Sequence, residues 1–368
     1  MSHSFPQFKA AAVQAAPVYL DREATTDKAC SLIREAAQNG AQLVVFPEVY
    51  IAGYPHWITL DVPTGNDRFF EHLVKSSVAV PSSTTEKLCQ VARDCSIHVA
   101  IGINESSPNS FAEVFNTLLL VGPDGRIIGK HRKIMPTYAE KLIWSFGDGS
   151  TLRVHDTAIG KIGMLICGEN GNSLARFSLI AQAEQVHISN YPAVPKKDDY
   201  DLKRAIEIRA AAHSFEGKVF NVVSSSIISE KMRDMLADTA EKREILEGGE
   251  NVFTGIIGPS GAVLCGPLPD GEEGIVYTDI DLAAAIRWKL LHDISGNYNR
   301  FDVLSLNINS EVRAPIRNMQ VKGGDEQIDP RTVERLKEKL STVENESLRS
   351  ELLELVETLV GRSLQTRG

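Results

Sequence analysis

The sequence predicts an α/β protein in which a mixed β-sheet is covered by helices. Short apolar runs of strand type alternate with segments of helical periodicity, which is the pattern of a layered α/β architecture. Two turn signals, Gly122-Pro123-Asp124-Gly125 and Pro259-Ser260-Gly261, join neighbouring strands as hairpins instead. We therefore expect both parallel and antiparallel strand pairing.

The individual elements follow from local patterns. Residues 43–46 form a short continuous apolar run of the kind that is buried on both faces of a sheet. In the helix predicted over residues 25–38, Ala29, Ile33 and Ala36 recur at helical spacing, and Gly40 follows its end. The predicted strands are residues 9–14, 43–46, 97–102, 114–121, 126–130, 161–166, 186–189, 219–224, 252–257 and 262–265, and the predicted helices are residues 25–38, 84–94, 173–184 and 201–215.

Composition excludes several classes of protein. Hydrophobic residues make up 43% of the 368 residues and charged residues 24%, which is ordinary for a globular protein. The net charge of -9 argues against nucleic acid as a partner, because phosphate binding needs a basic face. No segment approaches about 18 uninterrupted apolar residues, so we expect no membrane partner. The N-terminal residues lack the pattern of a secretory signal, and a cytoplasmic location is expected.

The cysteines do not suggest disulfides or a metal site. Their number is odd and their spacing irregular, with no Cys-x-x-Cys pair and no histidine cluster at zinc-ligand spacing. Reduced thiols are therefore expected, with no metal and no cofactor. Cys30 and Cys89 fall inside helical patterns and are predicted to be packing residues.

The character of the chain changes after residue 310. We divide it into a domain over residues 1–310 and an extension over residues 311–368, with a linker at residues 322–325. The segment 332–360 is predicted to be an amphipathic helix, which packs either on its own domain or on a partner subunit, so a role in oligomerisation is expected. Its apolar positions are Val333, Leu336, Leu340, Val343, Leu348, Leu352, Leu355 and Leu359.

Three predicted strands each end in a different reactive group. Glu48 ends the run that begins at Leu43, Lys133 closes the run from residue 126, and Cys167 follows the run 161–166. Strand ends are where a rigid scaffold presents side chains to a cleft. Taken singly, Cys167 is also consistent with a small buried hydrophobe, and Glu48 and Lys133 with surface charges.

Together, these groups suit nucleophilic catalysis. A free thiol is only a few per cent thiolate at neutral pH, so Cys167 needs a base such as Glu48 and a cation such as Lys133. The same lysine can stabilise negative charge that develops on an attacked carbon's nitrogen or oxygen. Glu140 lies seven residues beyond Lys133, and two acids around one lysine would keep it charged and oriented.

These stretches resemble the nitrilase superfamily of carbon–nitrogen hydrolases. The matching segments are Val45-Phe46-Pro47-Glu48, His131-Arg132-Lys133-Ile134-Met135-Pro136-Thr137 and Leu165-Ile166-Cys167-Gly168-Glu169-Asn170, in the family's order of glutamate, lysine and cysteine. The resemblance extends over about residues 8 to 308. It implies a four-layer α-β-β-α sandwich with a C-terminal helical extension, and homodimers that assemble into larger homo-oligomers.

The resemblance narrows to the true nitrilase branch. The stretches that carry it are Ala52-Gly53-Tyr54-Pro55-His56-Trp57, Phe146-Gly147-Asp148-Gly149-Ser150 and Asp293-Ile294-Ser295-Gly296-Asn297-Tyr298-Asn299-Arg300. Many members of this branch have tryptophan after the catalytic cysteine, where this chain has Gly168. That departure leaves the shape of the substrate site open but removes no catalytic group.

The family implies a small-molecule nitrile as substrate, with carboxylic acid and ammonia as products. Cys167 would form a thioimidate and then a thioester, Glu48 would act as base, and Lys133, oriented by Glu140, would stabilise the tetrahedral species. The backbone N–H of Gly168 is a further candidate donor to that charge. The candidate substrate-binding residues are Tyr54, Trp57, Gly168, Glu169 and Tyr191.

Three alternatives stay open at this point. An amidase of the same superfamily uses the same three groups, and a cyanide-specific hydrolase is a further possibility, although the aromatic-rich segment 50–57 favours an organic substituent. A non-catalytic member whose role is assembly is disfavoured by the intact catalytic set. The sequence does not name the nitrile.

Overall fold

The computed structural model describes residues 5–62, 65, 67–195, 200–248, 251–314, 316, 330–341, 346, 348–350, 352–354 and 356. The strands are β1 (Gln7–Gln14), β2 (Leu43–Val45), β3 (His98–Ser106), β4 (Val114–Val121), β5 (Ile127–Arg132), β6 (His155–Thr157), β7 (Gly160–Ile166), β8 (Val186–Tyr191), β9 (Phe220–Ser225), β10 (Gly255–Ile257), β11 (Val263–Cys265) and β12 (Gly274–Asp281). The helices are α1 (Arg22–Gln38), α2 (Asp67–Lys75), α3 (Ser83–Cys95), α4 (Ser173–Ile180), α5 (Leu202–Gly217), α6 (Glu230–Leu236), α7 (Ala240–Glu247), α8 (Ile286–Leu291) and α9 (Pro330–Ser341).

The strands form two six-stranded mixed sheets. The first has the order β12-β1-β2-β3-β4-β5 and the second β11-β10-β9-β8-β7-β6. In the first sheet β2 runs parallel to β1 and to β3, and in the second β8 runs parallel to β7 and to β9. The remaining pairs are antiparallel, including the two hairpins that the turn signals predicted, β4–β5 and β10–β11.

Side chains alternate along each strand between two cores, which creates the layers. Ala10 and Ala12 of β1 point into the core between the two sheets, whereas Ala11 and Val13 pack with residues of α1 and α3. The second sheet repeats the pattern, since Met164 of β7 joins the core between the sheets and Leu165 packs against α4. The layers are therefore helix, sheet, sheet and helix, which confirms the predicted α-β-β-α sandwich.

The predicted elements within residues 1–310 are present, with shifted ends. Helix α1 begins three residues before the predicted start, because Asp21 caps it by accepting a hydrogen bond from the Ala24 N–H at 2.9 Å. Helix α4 ends at Ile180 rather than at residue 184. Sequence reasoning missed α2, α6, α7, α8, β6 and the edge strand β12.

The chain divides into two compact units, residues 1–313 and residues 314–368. In the second unit, α9 begins two residues before the predicted helical segment 332–360 and overlaps its first part. Leu348 is exposed and Leu352 half-buried, while Val343, Leu355, Leu359 and the predicted linker 322–325 lie outside the described residues. In the part of the chain that is described, no helix combines the length and apolarity that crossing a bilayer requires. The cytoplasmic location stays a prediction.

Candidate active site

The ends of three strands meet where the two sheets pack face to face. Glu48 lies just beyond β2 and Lys133 directly follows β5, both in the first sheet, and Cys167 directly follows β7 in the second sheet. Glu140 comes from a short 3-10 helix, Tyr138–Leu142, in the segment after β5. The structure therefore brings the four predicted catalytic residues together from separate parts of the chain.

Lys133 lies between the two carboxylates. Its Nζ donates to Glu48 Oε1 at 2.8 Å and to Glu140 Oε2 at 2.7 Å, and its side chain is fully buried. Asn116 Nδ2 also donates to Glu48 Oε1, at 2.6 Å, and the Tyr54 hydroxyl donates to Glu140 Oε1 at 3.0 Å. The second oxygen of Glu48, Oε2, is buried and has no hydrogen-bond partner among the described residues. One carboxylate oxygen thus remains free to accept a proton.

Cys167 completes the cluster. Its Sγ, one carboxylate oxygen of Glu48 and one of Glu140 all lie within 4.8 Å of one another. The residue opens a short 3-10 helix, Cys167–Gly171, and has a φ of +48°, in the left-handed region that residues other than glycine seldom adopt. Such backbone strain is tolerated where the surroundings hold the chain, often at functional sites.

Burial and charge set the protonation states. Burial raises the pKa of Glu48 to about 7, with Lys133 lowering it and Glu140 raising it further. Burial alone would lower the pKa of Lys133, but Glu48 and Glu140 outweigh it and raise that pKa. Burial, followed by the Glu48 charge, raises the pKa of Cys167 well above its usual range. In the free protein the thiol and the ammonium therefore keep their protons, and Glu48 titrates near neutrality.

Glu169 holds the turn that carries Cys167. Its Oε1 accepts from the Ile134 N–H at 2.7 Å, and its Oε2 accepts from the Ile166 N–H at 2.9 Å and lies 2.9 Å from His131 Nε2. Burial acts to raise the pKa of Glu169, but His131 and the two N–H donors outweigh it, and the pKa is lowered. The carboxylate therefore fastens the end of β7 to the segment that carries Lys133.

A chain of buried hydrogen bonds, which we call the His187 relay, supports the turn that carries Cys167. His213 Nε2 lies 2.6 Å from Glu184 Oε2, Glu184 Oε1 lies 2.7 Å from His187 Nδ1, and His187 Nε2 lies 2.8 Å from Asn170 Oδ1. Asn170 Nδ2 then donates to the Cys167 carbonyl at 3.1 Å. Burial acts to raise the pKa of Glu184, but the two histidines lower it to about 2. The relay connects a buried carboxylate to the backbone of Cys167.

Two groups of side chains have the composition of metal ligand sets. Glu184, His187 and His213 form one group, and Glu48, Glu140 and Cys167 the other. In the first group the carboxylate already bonds to both histidines, and in the second the Lys133 ammonium occupies the position between the carboxylates. Hydrogen bonds and ion pairs therefore already engage at least one oxygen of each of these carboxylates.

Cys167 opens into a cavity of about 180 Å³. Its wall is formed by Tyr54, Ile58, Thr59, Thr137, Tyr138, Ala139, Glu140, Cys167, Gly168, Pro192, Val194, Tyr200, Leu202 and Arg209. A larger outer cavity of about 1110 Å³ shares Tyr54, Thr59, Tyr138, Val194, Tyr200 and Leu202 with it, so the two cavities adjoin.

The predicted substrate-binding residues divide into two groups. Tyr54 and Gly168 line the inner cavity. Trp57 lines a separate apolar cavity of about 620 Å³, Glu169 is buried in its turn, and Tyr191 is fully buried in a core cluster beside Cys167. The structure does not bring these last three to the described wall of the inner cavity.

Sequence reasoning missed several residues of the site. Asn116 lies inside an apolar strand and Arg209 lies in a helix rich in charged residues, so neither had a local signal. The structure explains why glycine follows the cysteine, because a Cβ at position 168 would lie 2.7 Å from Thr137 Oγ1. Thr137 fills the space that a larger side chain after the cysteine would need.

The fold and the buried acid–lysine–thiol cluster define a carbon–nitrogen hydrolase. Residues 9–290 match the family described as carbon-nitrogen hydrolase, and the chain belongs to that family. It is 36% identical over 313 residues to an aliphatic nitrilase of Rhodococcus rhodochrous, covering 84% of each chain. It is also 36% identical over 317 residues to a nitrilase of Bacillus sp. (strain OxB-1), covering 86% of this chain and 92% of that one. These relatives place it in the nitrilase branch.

Solved structures share the fold at lower sequence identity. Nit3 of Saccharomyces cerevisiae, a member of branch 10 of the nitrilase superfamily, matches with a TM-score of 0.62 and 19% identity, covering 79% of this chain and 97% of that one. An amidase of Nesterenkonia sp. AN1 in complex with acrylamide matches with a TM-score of 0.56 and 17% identity, covering 76% and 93%. At these identities the likeness concerns the fold alone.

Proposed function

We propose that this protein hydrolyses an organic nitrile to the carboxylic acid and ammonia, with Cys167 as the nucleophile. The observation that carries the proposal is the approach of the Cys167 Sγ to carboxylate oxygens of Glu48 and Glu140 within 4.8 Å, with Lys133 bonded to both acids. The names of the relatives support nitriles as the substrate class.

The first step needs a base next to the thiol. Burial raises the pKa of Cys167, so little thiolate exists before substrate arrives. Glu48 Oε2 has no other partner among the described residues and can take the thiol proton as sulfur attacks the nitrile carbon. One π bond of the nitrile breaks, the C–S bond forms, and the thiol proton passes by way of Glu48 to the nitrogen, which gives a thioimidate and restores the Glu48 carboxylate. The raised pKa of Glu48, about 7, makes it a stronger base than an ordinary carboxylate.

Lys133 is suited to stabilising the charge that develops on nitrogen and later on oxygen. Its two carboxylate neighbours keep it protonated, and they account for two of its three N–H donors. Gly168 lines the cavity beside Cys167, and its backbone N–H is a second candidate donor to the developing charge. Glu140 orients the ammonium through its own bonds to Tyr54 and to the Thr137 N–H.

Two waters complete the reaction. The first adds to the thioimidate carbon with Glu48 as base, ammonia leaves, and a thioester remains on Cys167. The second water cleaves the thioester, which releases the acid and restores the thiol. The overall balance is one nitrile and two waters to one acid and one ammonia.

Release of amide is the second candidate outcome. A bifunctional nitrilase/nitrile hydratase of Nicotiana tabacum is 35% identical to this chain over 330 residues. If the C–S bond of the first tetrahedral intermediate breaks instead of its C–N bond, the amide leaves. We expect acid to be the main product, because the Lys133 ammonium, oriented by Glu140, can deliver a proton to the departing nitrogen.

A panel of aliphatic, arylaliphatic and aromatic nitriles, each beside its amide, tests the proposal. Ammonia release measures turnover, and chromatography separates acid from amide. We expect at least one nitrile to turn over faster than its amide and to yield mainly acid. An enzyme that hydrolyses amides faster than every nitrile would be an amidase, and turnover of cyanide alone would indicate a cyanide-specific hydrolase.

We also propose that the chain assembles into homodimers and larger homo-oligomers. Leu290, Leu291, Val303 and Leu304 are each more than 60% exposed, and apolar surface of this kind is stable when a partner covers it. Light scattering of the full chain measures the assembly. A purely monomeric protein at micromolar concentration would contradict this part of the proposal.

A further inference from the structure

An arginine that has no acidic partner among the described residues lines the cavity at Cys167. Arg209, on α5, is part of the inner wall together with Cys167 and Gly168. A Cβ placed on Gly171 would lie 3.6 Å from Arg209 Nε, so the guanidinium lies against the turn that carries Cys167. Within the described wall of the inner and outer cavities, Arg209 is the one lysine or arginine.

The donors of Arg209 are largely uncommitted. Its Nη2 donates to the Tyr200 hydroxyl at 3.1 Å, and no ion pair joins the guanidinium to a carboxylate of the described residues. Lys133 differs, because both of its carboxylate neighbours bond to it directly. A guanidinium offers five N–H donors in a planar fork that matches a carboxylate. Arg209 is therefore the free positive charge of the described cavity wall.

The rest of the wall suits a short aliphatic spacer. Pro192, Val194 and Leu202 are apolar, and the inner cavity holds about 180 Å³. Tyr200 accepts a hydrogen bond from Arg209, which leaves its own hydroxyl proton to donate. An anion beside Arg209 would thus meet donors from two side chains, while a chain of methylenes could extend from it toward the thiol.

We propose that Arg209 makes this enzyme selective for nitriles whose organic group ends in a carboxylate. This inference rests on the proposed nitrile hydrolysis and names the substrate class within it. The carboxylate would bind to Arg209 and Tyr200, and the nitrile would lie next to Cys167. A neutral nitrile of the same shape would leave the half-buried cationic donors of Arg209 without a carboxylate partner, and polar sites discriminate against ligands that leave their donors unpaired.

A competing role for Arg209 would act on every substrate alike. Its positive charge lowers the pKa of the Cys167 thiol, so its removal would slow thiol attack in general. That effect cancels when the specificity constants of two nitriles are divided by one another. The ratio between an anionic and a neutral nitrile therefore isolates recognition from activation of the thiol.

The test uses three nitriles of matched shape: β-cyanopropionate, its neutral amide β-cyanopropionamide, and isocapronitrile, in which an isopropyl group replaces the carboxylate. For the parent enzyme we expect kcat/KM for β-cyanopropionate to exceed that for isocapronitrile by about tenfold or more, as charge-assisted bonds allow. Added salt should reduce this preference, because it screens a partly exposed charge.

Two variants and a matched control locate the effect. Arg209→Met should lower the ratio of kcat/KM for β-cyanopropionate to kcat/KM for isocapronitrile by about tenfold or more. Arg209→Lys should keep only part of this ratio, because an ammonium retains the charge but cannot form the planar fork. Arg204→Met is the control, since Arg204 is exposed on the same helix and pairs with Glu207 at 3.2 Å. The control should keep the parental ratio.

A parent enzyme that prefers isocapronitrile, or an Arg209→Met variant with the parental ratio, would overturn the inference and leave nitrile hydrolysis standing. If the variants do not fold, the comparison of the three nitriles on the parent enzyme decides alone. Absence of ammonia release from every nitrile would refute the proposed function itself and the inference with it.

Discussion

Glu48→Gln tests the assignment of the base. The amide oxygen of glutamine can keep the bonds from Asn116 Nδ2 and Lys133 Nζ, which now join Glu48 Oε1 at 2.6 and 2.8 Å. Its amide nitrogen then takes the position of Oε2, the oxygen that accepts no bond from the described residues. The substitution therefore preserves the geometry of the site but removes its proton acceptor.

We expect turnover of the best nitrile to fall about 10²-fold or more, which is the usual contribution of a general base. This loss corresponds to about 2.7 kcal/mol of activation free energy. Loss of one charged hydrogen-bond acceptor should cost about 1–3 kcal/mol of stability, too little to account for it by unfolding if the parent is ordinarily stable.

The pH profile provides a second readout. Because the pKa of Glu48 is about 7, the parent's kcat/KM should rise as the carboxyl loses its proton, by about tenfold per pH unit below that value. The glutamine variant should lack this limb. Ammonia release measures the rates, and alkylation of Cys167 together with thermal unfolding confirms a folded site. A folded variant that works within a few-fold of the parent, with the parental pH profile, would refute the assignment.

Three further predictions concern residues around the nucleophile and the C-terminal extension. Lys133→Ala should lower turnover at least about 10²-fold, because it removes the cation nearest the developing charge. Lys130→Ala, on the strand β5 that precedes Lys133, should retain most activity, and equal effects of the two substitutions would exclude a specific role for Lys133. Asn170→Ala should lower kcat about tenfold with little change in KM, because Asn170 joins His187 to the Cys167 carbonyl. Asn172→Ala, which removes the cap of α4, should affect stability more than kcat. The reverse pattern would argue that Asn170 does not position Cys167. Truncation after Asn318 should reduce the assembly size in light scattering while Cys167 can still be alkylated, and an unchanged size would mean that the oligomer does not depend on the extension.

Local patterns were sufficient for most of the strands of the sandwich. Runs such as Leu43–Val45 and Gly160–Ile166 are buried on both faces, so every position except the half-buried Lys161 is apolar or small and the run is easily found. The edge strand Gly274–Asp281 escaped prediction because most of its side chains are half-buried, and its polar and apolar residues alternate only weakly. Strands at an edge have fewer neighbours to constrain their composition.

Long-range packing explains the differences at helix ends and in the site. Helix α4 stops at Ile180, and Ala183 has a φ of +63°, because Glu184 turns inward to bond with His187 and His213. No feature of residues 181–184 alone indicates partners 3 and 29 residues away. The position of Arg209 in the cavity wall likewise depends on how α5 packs against the second sheet.

The candidate catalytic residues could be predicted because each directly follows a recognisable strand or a distinctive turn. Glu48, Lys133 and Cys167 are close in space because their strands end at one edge where the two sheets meet. The wall of the cavity could not be predicted in the same way, because Thr137, Tyr200 and Arg209 come from loops and a helix without a shared pattern. This is why the reaction class follows from the sequence more directly than the substrate does.

The most direct test of the account is the mass of the protein during turnover. Nitrile turnover quenched in acid, followed by intact-mass analysis and peptide mapping, should reveal a thioimidate or acyl adduct on Cys167 alone among the five cysteines. Cys167→Ala should show no adduct and no ammonia release, whereas Cys30→Ala, which changes a buried packing residue, should keep both. An adduct on another residue, or ordinary turnover by Cys167→Ala, would contradict the central claim that Cys167 is the nucleophile.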